Sequence, residues 1–581
     1  MKKYLLLLLF VPTNTLSSGK KKEVIVLTQD PEVDIHDPLS FGNEERRNKY
    51  NVTYICVTEC RFVTLREKFK EKKIYEPQVF YTSFIGSCFN FSIFESLKKM
   101  RKKFDYLVVF PQEQYISRAG DLREVLEIKN GMNRRESDYY VNKKEMKERL
   151  RHSSVPTVPF VSNISSNTWS KLKAQKVVLK PINDSGSNGI FIANNEDEFN
   201  NELKGKYTEM YIAEKYMSGD IYNIDGIVQN GKRIVTLPTK SIGNCFSFYQ
   251  ENQPKGLITV TDKETKEELE KLADGFLRMG NKKEFVHKDG FYHIEIIADK
   301  NGKLYIMEGA ARESGSHYKD LLKRKFGFSL IQAGYKAQLH EEIDPNEKAL
   351  KQVNNLPNNK RTHGVITLPF PLKGEKIASE EKKNYTMTKI SDIHELNNKY
   401  YQNSKDKNDI EFIGINFHNH LEEGEEIPKP GFKFSPNSQD FNVSILFSAA
   451  NSKKAEDYAE YIASSFKMEA EDPQGNKAPQ RTRKNSDEEI GTKTQDIKEK
   501  TDGEVGTKTQ DIKEKTDEEA AQKSSNNIFS WGNGLKVGSF FCMFGMIYIM
   551  VEYLKKRKAN LHIQNWLRNK DREKGLGKIS G

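Results

Sequence analysis

Phe291–Arg312 reads FYHIEIIADKNGKLYIMEGAAR, and it fixes the class of the whole chain. Two apolar runs ending in glutamate, Phe291–Glu295 and Leu304–Glu308, flank a polar turn at Asp299–Lys303 that contains Gly302. That pattern predicts an antiparallel hairpin. Glu295 and Glu308 then project from neighbouring strands on one face. Two carboxylates brought together among apolar neighbours repel, and a divalent cation is what keeps such a pair ionised. Solvent-facing glutamates on an exposed hairpin would not be set among Ile, Tyr and Met. Arg312, four residues beyond Glu308, offers a planar fork suited to a phosphate. His293 either faces a substrate or is a hydrogen-bonded structural histidine.

Upstream, Lys176–Lys180 (KVVLK) predicts a strand ending in a lysine, and Ile190–Ala193 a second strand. Between them lies a small-residue loop with Ser185, Gly186, Ser187 and Gly189. Backbone N–H groups in such a loop approach a polyphosphate without a Cβ in the way. Lys180 would add a point charge. Hairpins with Gly-Ser tips are common, so the loop alone decides little. Tyr211–Asp220 (YIAEKYMSGD) leads apolar residues to Glu214 and then into a turn at Ser218-Gly219. A carboxylate on such a hinge can accept from an exocyclic amine while nearby backbone groups read a ring edge.

Toward the N-terminus, Lys22–Gln29, Val52–Val57 and Phe104–Phe110 are β-branched runs, and the amphipathic stretches Phe91–Lys103 and Asp121–Lys129 alternate with them. Strands alternating with helices predict a parallel sheet, so residues 21–135 form a small open α/β domain.

The chain ends have a different character. Residues 1–19 open Met-Lys-Lys, continue with the leucine-rich run Tyr4–Val11 and close on small polar residues, the pattern of a signal peptide. Val537–Leu554 is apolar except for Glu552 and is followed by Lys555-Lys556-Arg557-Lys558. At about 1.5 Å per residue it reaches about 27 Å, enough for one membrane span. The basic tail 555–581 is expected on the cytoplasmic side. Residues 470–533 carry the repeat GTKTQDIKEKTD at 491–502 and 506–517 with almost no apolar residue, so a disordered stalk is expected. The body would then face the lumen or the outside of a single-pass membrane protein of the secretory pathway or cell surface. Sequons at Asn51, Asn90, Asn163, Asn384 and Asn442 permit glycosylation. An uncleaved leader or a tail-type anchor would instead turn the body to the cytosol.

Hydrophobic residues make up 36% of the 581 and charged ones 30%, which excludes a polytopic membrane protein. The five cysteines form no CxxC pair, so neither a disulfide scaffold nor a structural zinc is expected. The net charge of +11 is spread among alternating Lys and Glu, and no nucleic-acid partner is expected.

The order of lysine–glycine loop, glutamate hinge and carboxylate hairpin ending in Glu-x-x-x-Arg resembles the ATP-grasp superfamily. Asn142-Lys143-Lys144-Glu145-Met146 with Val155-Pro156-Thr157-Val158-Pro159 resembles the segment that brings the family's first nucleotide lysine. Pro111–Glu127 and Thr362–Ile366 resemble parts of its L-amino-acid ligase and carnosine-synthase branch, so the likeness spans about 450 of the 581 residues. It implies an ATP-grasp domain at 140–340, a closing subdomain at 341–469, and ATP with Mg²⁺ or Mn²⁺ as cofactors. Carried over position by position, Lys143 and Lys180 are nucleotide lysines, and Ser185, Gly186, Ser187 and Gly189 form the phosphate loop. Glu214 is the adenine hinge, Glu295 and Glu308 are the metal carboxylates, and Arg312 steadies the transferred phosphoryl group. Where the family has Gly-x-Glu after the hinge, this chain has Gly219-Asp220-Ile221, so Asp220 takes the ribose contact. Where the family has Glu-x-Asn, it has Glu308-Gly309-Ala310, the form of the ligase branch. Ser316 and His293 are the substrate candidates.

The resemblance implies an ATP-dependent carboxylate–amine (or thiol) ligase acting on small, amino-acid-like acids and amines. A nucleotide-binding module without turnover and a phosphotransferase on the same fold are the alternatives.

Overall fold

The hairpin around Asp299–Lys303 forms as its sequence predicts. In the computed structural model, Gly290–Ala298 and Leu304–Ala310 pair antiparallel, with Asp299 N–H donating to Lys303 O at 2.9 Å and Gly302 at φ +79° in the turn. The structure describes residues 20–28, 44–56, 78–81, 97, 100, 102–109 and 113–471, less 185, 252, 280–283, 316, 357–360, 370–384, 404–408, 418–432 and 435–441. All of them lie in one compact unit, Met1–Ser83 with Leu97–Arg481. The expected signal peptide, the transmembrane segment 537–554, the basic tail and nearly all of the stalk fall outside the described residues. Among those described, no helix is long and apolar enough to cross a membrane.

Among the described residues the strands form four sheets. The N-terminal one is parallel, Gln78–Tyr81, Tyr50–Cys56, Lys22–Thr28 and Tyr106–Val109 in that spatial order, as the β-branched runs predict. The next helix runs Glu113–Val125, eight residues ahead of the amphipathic stretch expected from Asp121. A small antiparallel sheet orders Phe160–Val161, Tyr211–Lys215, Val177–Pro181 and Phe191–Ala193. The largest has eight strands: Leu304–Ala310, Gly290–Ala298, Ile221–Gln229, Lys232–Ile242, Lys255–Thr259, Thr362–Pro369, Asn442–Ala449 and Ile410–Phe417. Three of these come from beyond residue 341, so the segment expected as the closing C-terminal subdomain of the body continues the sheet that carries the carboxylate hairpin. A last small sheet places Tyr385–Ile390 between Lys433–Phe434 and Met468–Glu471. The strand Met468–Glu471 therefore takes in the first two residues of the span expected as stalk.

Alternation gives the eight-stranded sheet two characters. Ile294, Ile296, Ile306 and Ile224 pack on the helix Lys263–Leu277, which buries Leu269, Ala273, Phe276 and Leu277, spaced i, i+4, i+7 and i+8. Each of the isoleucine, leucine and phenylalanine side chains contributes about 1.5–3 kcal/mol by leaving water. Asp262 caps this helix, accepting from Thr265 N–H at 2.8 Å. The opposite face carries His293 and Glu295, with Asn223 and Asp225 as their register partners on the adjoining strand.

Candidate active site

The register pairs Glu295 directly with Glu308, with a bulge immediately after Glu295. Their side chains are 24% and 26% exposed, open enough to reach a ligand and too buried to be ordinary surface carboxylates. Burial would raise the Glu295 carboxyl. The His293 hydrogen bond and charge, with Lys180 and Arg312 beyond it, hold it well below the usual carboxylate range. His293 sits between two acids, Nδ1 at 3.0 Å from Asp225 Oδ1 and Nε2 at 3.2 Å from Glu295 Oε1. Burial would lower its pKa, but Asp225 and Glu295 outweigh burial and hold it at about 9, so the ring is charged at neutral pH. With both nitrogens engaged, His293 acts as a strut for Glu295.

The lysines come from two elements. Asn142 caps the helix Lys143–Arg151, accepting from Glu145 N–H at 3.0 Å, and this sets Lys143 at its first turn. Its ammonium donates to Asp184 O and lies 3.8 Å from Glu308 Oε2. Lys180, near the end of Val177–Pro181, lies 2.9 Å from Glu214 Oε2, and Lys147 lies 2.7 Å from Glu214 Oε1. Glu214 is thus buried, with one ammonium group facing each of its oxygens. Its carboxyl would be raised by burial, but the two lysines lower it. Burial lowers the Lys147 ammonium. Lys180 is raised despite burial, because Glu214 and Glu308 both face it.

Arg312 is held from two sides, its Nε donating to Glu113 Oε2 at 3.0 Å and an Nη1 to Glu313 O at 2.9 Å. The loop after Pro181 has Gly186, Ser187 and Gly189 all at φ between +61° and +66°. Gly186 is exposed, with nothing within 4 Å of where its Cβ would stand. Ser185 and Ser316 lie outside the described residues. Asp220 is 54% exposed and 3.2 Å from Lys240. Gly219 beside it is required sterically, since a Cβ there would lie 1.8 Å from Ala298 O.

The structure therefore gathers Lys143, Lys180, Glu214, Glu295, Glu308, Arg312 and His293 at one end of the large sheet and leaves Asp220 at its rim. Sequence reading missed Lys147, Glu113 and Asp225. Lys147 carried a signal, standing four residues after Lys143 and so on the same helix face. The acids carried none, because their partners are distant in sequence.

Among the described residues no three acidic, histidine or cysteine side chains converge as a metal site. The Glu295–Glu308 pair nonetheless fits Mg²⁺, which is commonly held by one or two carboxylates and completed by substrate phosphates and water.

Residues 140–315 match the family model described as ATP-grasp domain. Among solved structures, an L-amino acid ligase from Bacillus licheniformis is similar over 77% of this chain and 98% of its own, at 16% identity and a TM-score of 0.51. A biotin carboxylase from Campylobacter jejuni covers 78% and 92% at 11% identity and a TM-score of 0.49. An N5-carboxyaminoimidazole ribonucleotide synthetase from Thermotoga maritima covers 77% and 99% at 12% identity and a TM-score of 0.48. At 16% identity the first likeness is one of fold. No curated protein matches the sequence.

Proposed function

We propose, on the premise that residues 140–315 are an ATP-grasp domain, that the protein is an ATP-dependent carboxylate–amine ligase. The observation that carries this reading is the meeting of Lys143 and Lys180 with the Glu295–Glu308 pair at one end of the sheet, Glu308 lying 3.8 Å from Lys143.

The chain's own residues do four things in this reading. Lys143 and Lys180 neutralise the nucleotide phosphates, and the left-handed backbone of Gly186, Ser187 and Gly189 turns the loop over them. Glu295 and Glu308 would hold Mg²⁺, which would supply neutralisation of the charge that develops in phosphoryl transfer. His293 keeps Glu295 ionised and oriented. Arg312, fixed by Glu113, faces the transferred group. A substrate carboxylate oxygen attacks the γ-phosphorus and ADP departs. The acceptor nitrogen then attacks the acyl carbon, phosphate leaves, and the nitrogen gives up a proton. Catalysis here is positioning and charge compensation.

ADP release measured with a carboxylate, an amine, both or neither tests the reading. A ligase needs both substrates. Release with an acceptor alone points to a phosphotransferase, and no release under any condition to a binding module. The apolar segment 537–554 is read as the anchor of this body to a membrane of the secretory pathway or cell surface.

A further inference from the structure

The sequons of this chain differ in what the fold does with their side-chain amides. Asn163, in Asn163-Ile164-Ser165, stands exposed on the bend that follows Phe160–Val161. Its Oδ1 accepts from Lys144 Nζ at 3.0 Å, and among the described residues its Nδ2 has no partner. The chain around it is held firmly. Ile164 packs on the core of the small sheet, Ser165 N–H donates to Thr168 Oγ1 at 2.9 Å, and the helix Thr168–Leu172 follows.

The other sequons in the described residues are placed differently. Asn51 lies on a strand with a neighbour on each side, and its Nδ2 donates to Glu23 Oε1 at 2.9 Å. Asn183, in Asn183-Asp184-Ser185, is exposed but opens the phosphate loop, beside the Asp184 carbonyl that accepts from Lys143. Asn442 starts a strand that is paired on both sides in the large sheet. Asn90 and Asn384 lie outside the described residues. A glycan is bulky and needs an outlet to water. At Asn51 it would cost a hydrogen bond, and at Asn183 it would stand over the nucleotide loop. At Asn163 it costs neither. An N-linked sugar replaces one hydrogen on the amide nitrogen and leaves the carbonyl oxygen in place, so the Lys144 bond survives. Phe160–Val161 is also the outer strand of the small sheet, two strands or about 10 Å from the one that carries Lys180.

We propose that Asn163 carries an N-linked oligosaccharide. The donor is a lipid pyrophosphate-linked oligosaccharide. Asn163 Nδ2 bonds to C1 of the first sugar, the bond from C1 to the pyrophosphate oxygen breaks, the lipid pyrophosphate departs, and Nδ2 gives up one proton. The inference rests on the reading of the leader and of segment 537–554 that puts the body in the lumen, and is independent of the ligase reading.

The test uses the full-length protein, made in eukaryotic cells and recovered in sealed microsomes. Peptide N-glycanase in heavy-oxygen water converts each glycosylated asparagine to a labelled aspartate. The tryptic peptide 152–171, which contains Asn163 as its one sequon, is expected to carry that label. Asn163→Gln should remove one step of glycanase-sensitive gel migration. Ser165→Ala, which keeps the Asn163–Lys144 bond and removes the sequon hydroxyl, should remove the same step, and Ser165→Thr should retain it. Protease added outside the microsomes separates the two ways of failing. A protected body whose residue 163 is recovered as unlabelled asparagine would overturn the site alone. A body digested by that protease would lie in the cytosol, and would overturn the site together with the luminal reading.

Discussion

The Lys147 ammonium lies 2.7 Å from Glu214 Oε1, with the lysine side chain fully buried and the glutamate 3% exposed. Lys180, 2.9 Å from the other oxygen, completes a trio with one net positive charge away from water. Removing different members therefore has unequal costs. Glu214→Gln leaves the buried Lys147 without its ion-pair partner and Lys180 facing only the Glu308 side, and should lose about 3–5 kcal/mol of stability. Lys147→Met leaves a neutral Glu214–Lys180 pair and fills the space with an apolar chain, so it should lose less than about 2 kcal/mol. Urea unfolding of both variants gives the order, and a larger loss in Lys147→Met would contradict this charge balance.

Lys180→Ala separates nucleotide binding from folding. Lys147 remains to balance Glu214, so the fold should persist. Nucleotide binding should weaken by about 1–3 kcal/mol through the lost charged hydrogen bond. Calorimetric titration with MgATP reads this directly, and undiminished affinity would place the phosphates elsewhere.

Glu308→Gln removes a full charge from a side chain that is 26% exposed and 3.8 Å from Lys143. Turnover should vanish while the melting temperature stays close to wild type, since the neutral amide keeps the shape of the hairpin. Mg²⁺-dependent ADP release at the wild-type rate would sink the metal assignment.

His340 and Asp289 give the stability a pH signature. His340 Nε2 lies 3.1 Å from Asp289 Oδ2, and the imidazole packs edge-on against Tyr106 of the N-terminal sheet. The hydrogen bond and charge of Asp289 raise the His340 pKa above its ordinary value. The folded state then binds the proton more tightly, so this contribution is complete below about pH 6.5 and is lost as pH rises through the raised folded value. Burial opposes ionisation of Asp289, but His340 and the Asn230 N–H lower its pKa, so its share is lost only in acid. The urea midpoint should fall as pH rises from about 6.5 through the raised His340 value, and His340→Gln should flatten that decline. An equal slope in the variant would assign it to other groups.

The hairpin and the parallel N-terminal sheet were legible because period-two alternation and turn chemistry are local. Glu295 and Glu308 could be paired from 22 residues of sequence, since Asp299–Lys303 fixes the register. Lys147 needed only helical spacing from Lys143, but its role depends on Glu214, 67 positions away, reached through the small sheet. The Arg312–Glu113 bond spans 199 positions and joins two sheets' worth of structure; no periodicity encodes it. The lysine partners of Glu214 were hidden for the same reason. An apolar approach to Glu214 predicts burial, while what neutralises it comes from elsewhere. The continuation of the large sheet through Thr362–Pro369 and Asn442–Ala449 was equally hidden, because antiparallel pairing between strands this far apart leaves no local mark.

The final prediction concerns Val537–Leu554. Its composition is that of a spanning helix: eighteen residues, one acid, and a basic cluster immediately after. The preceding stretch 472–533 has too few apolar side chains to pack on the body. The body has cores of its own, one between the large sheet and helix Lys263–Leu277 and another under Asn442–Ala449 and Ser452–Ser465. Full-length protein should therefore stay in the membrane fraction through carbonate extraction. Deleting 534–581 should release a soluble body that still shifts its melting temperature with MgATP. A truncated protein that aggregates would make the segment a core helix of the body, and a full-length protein soluble without detergent would remove the anchor altogether.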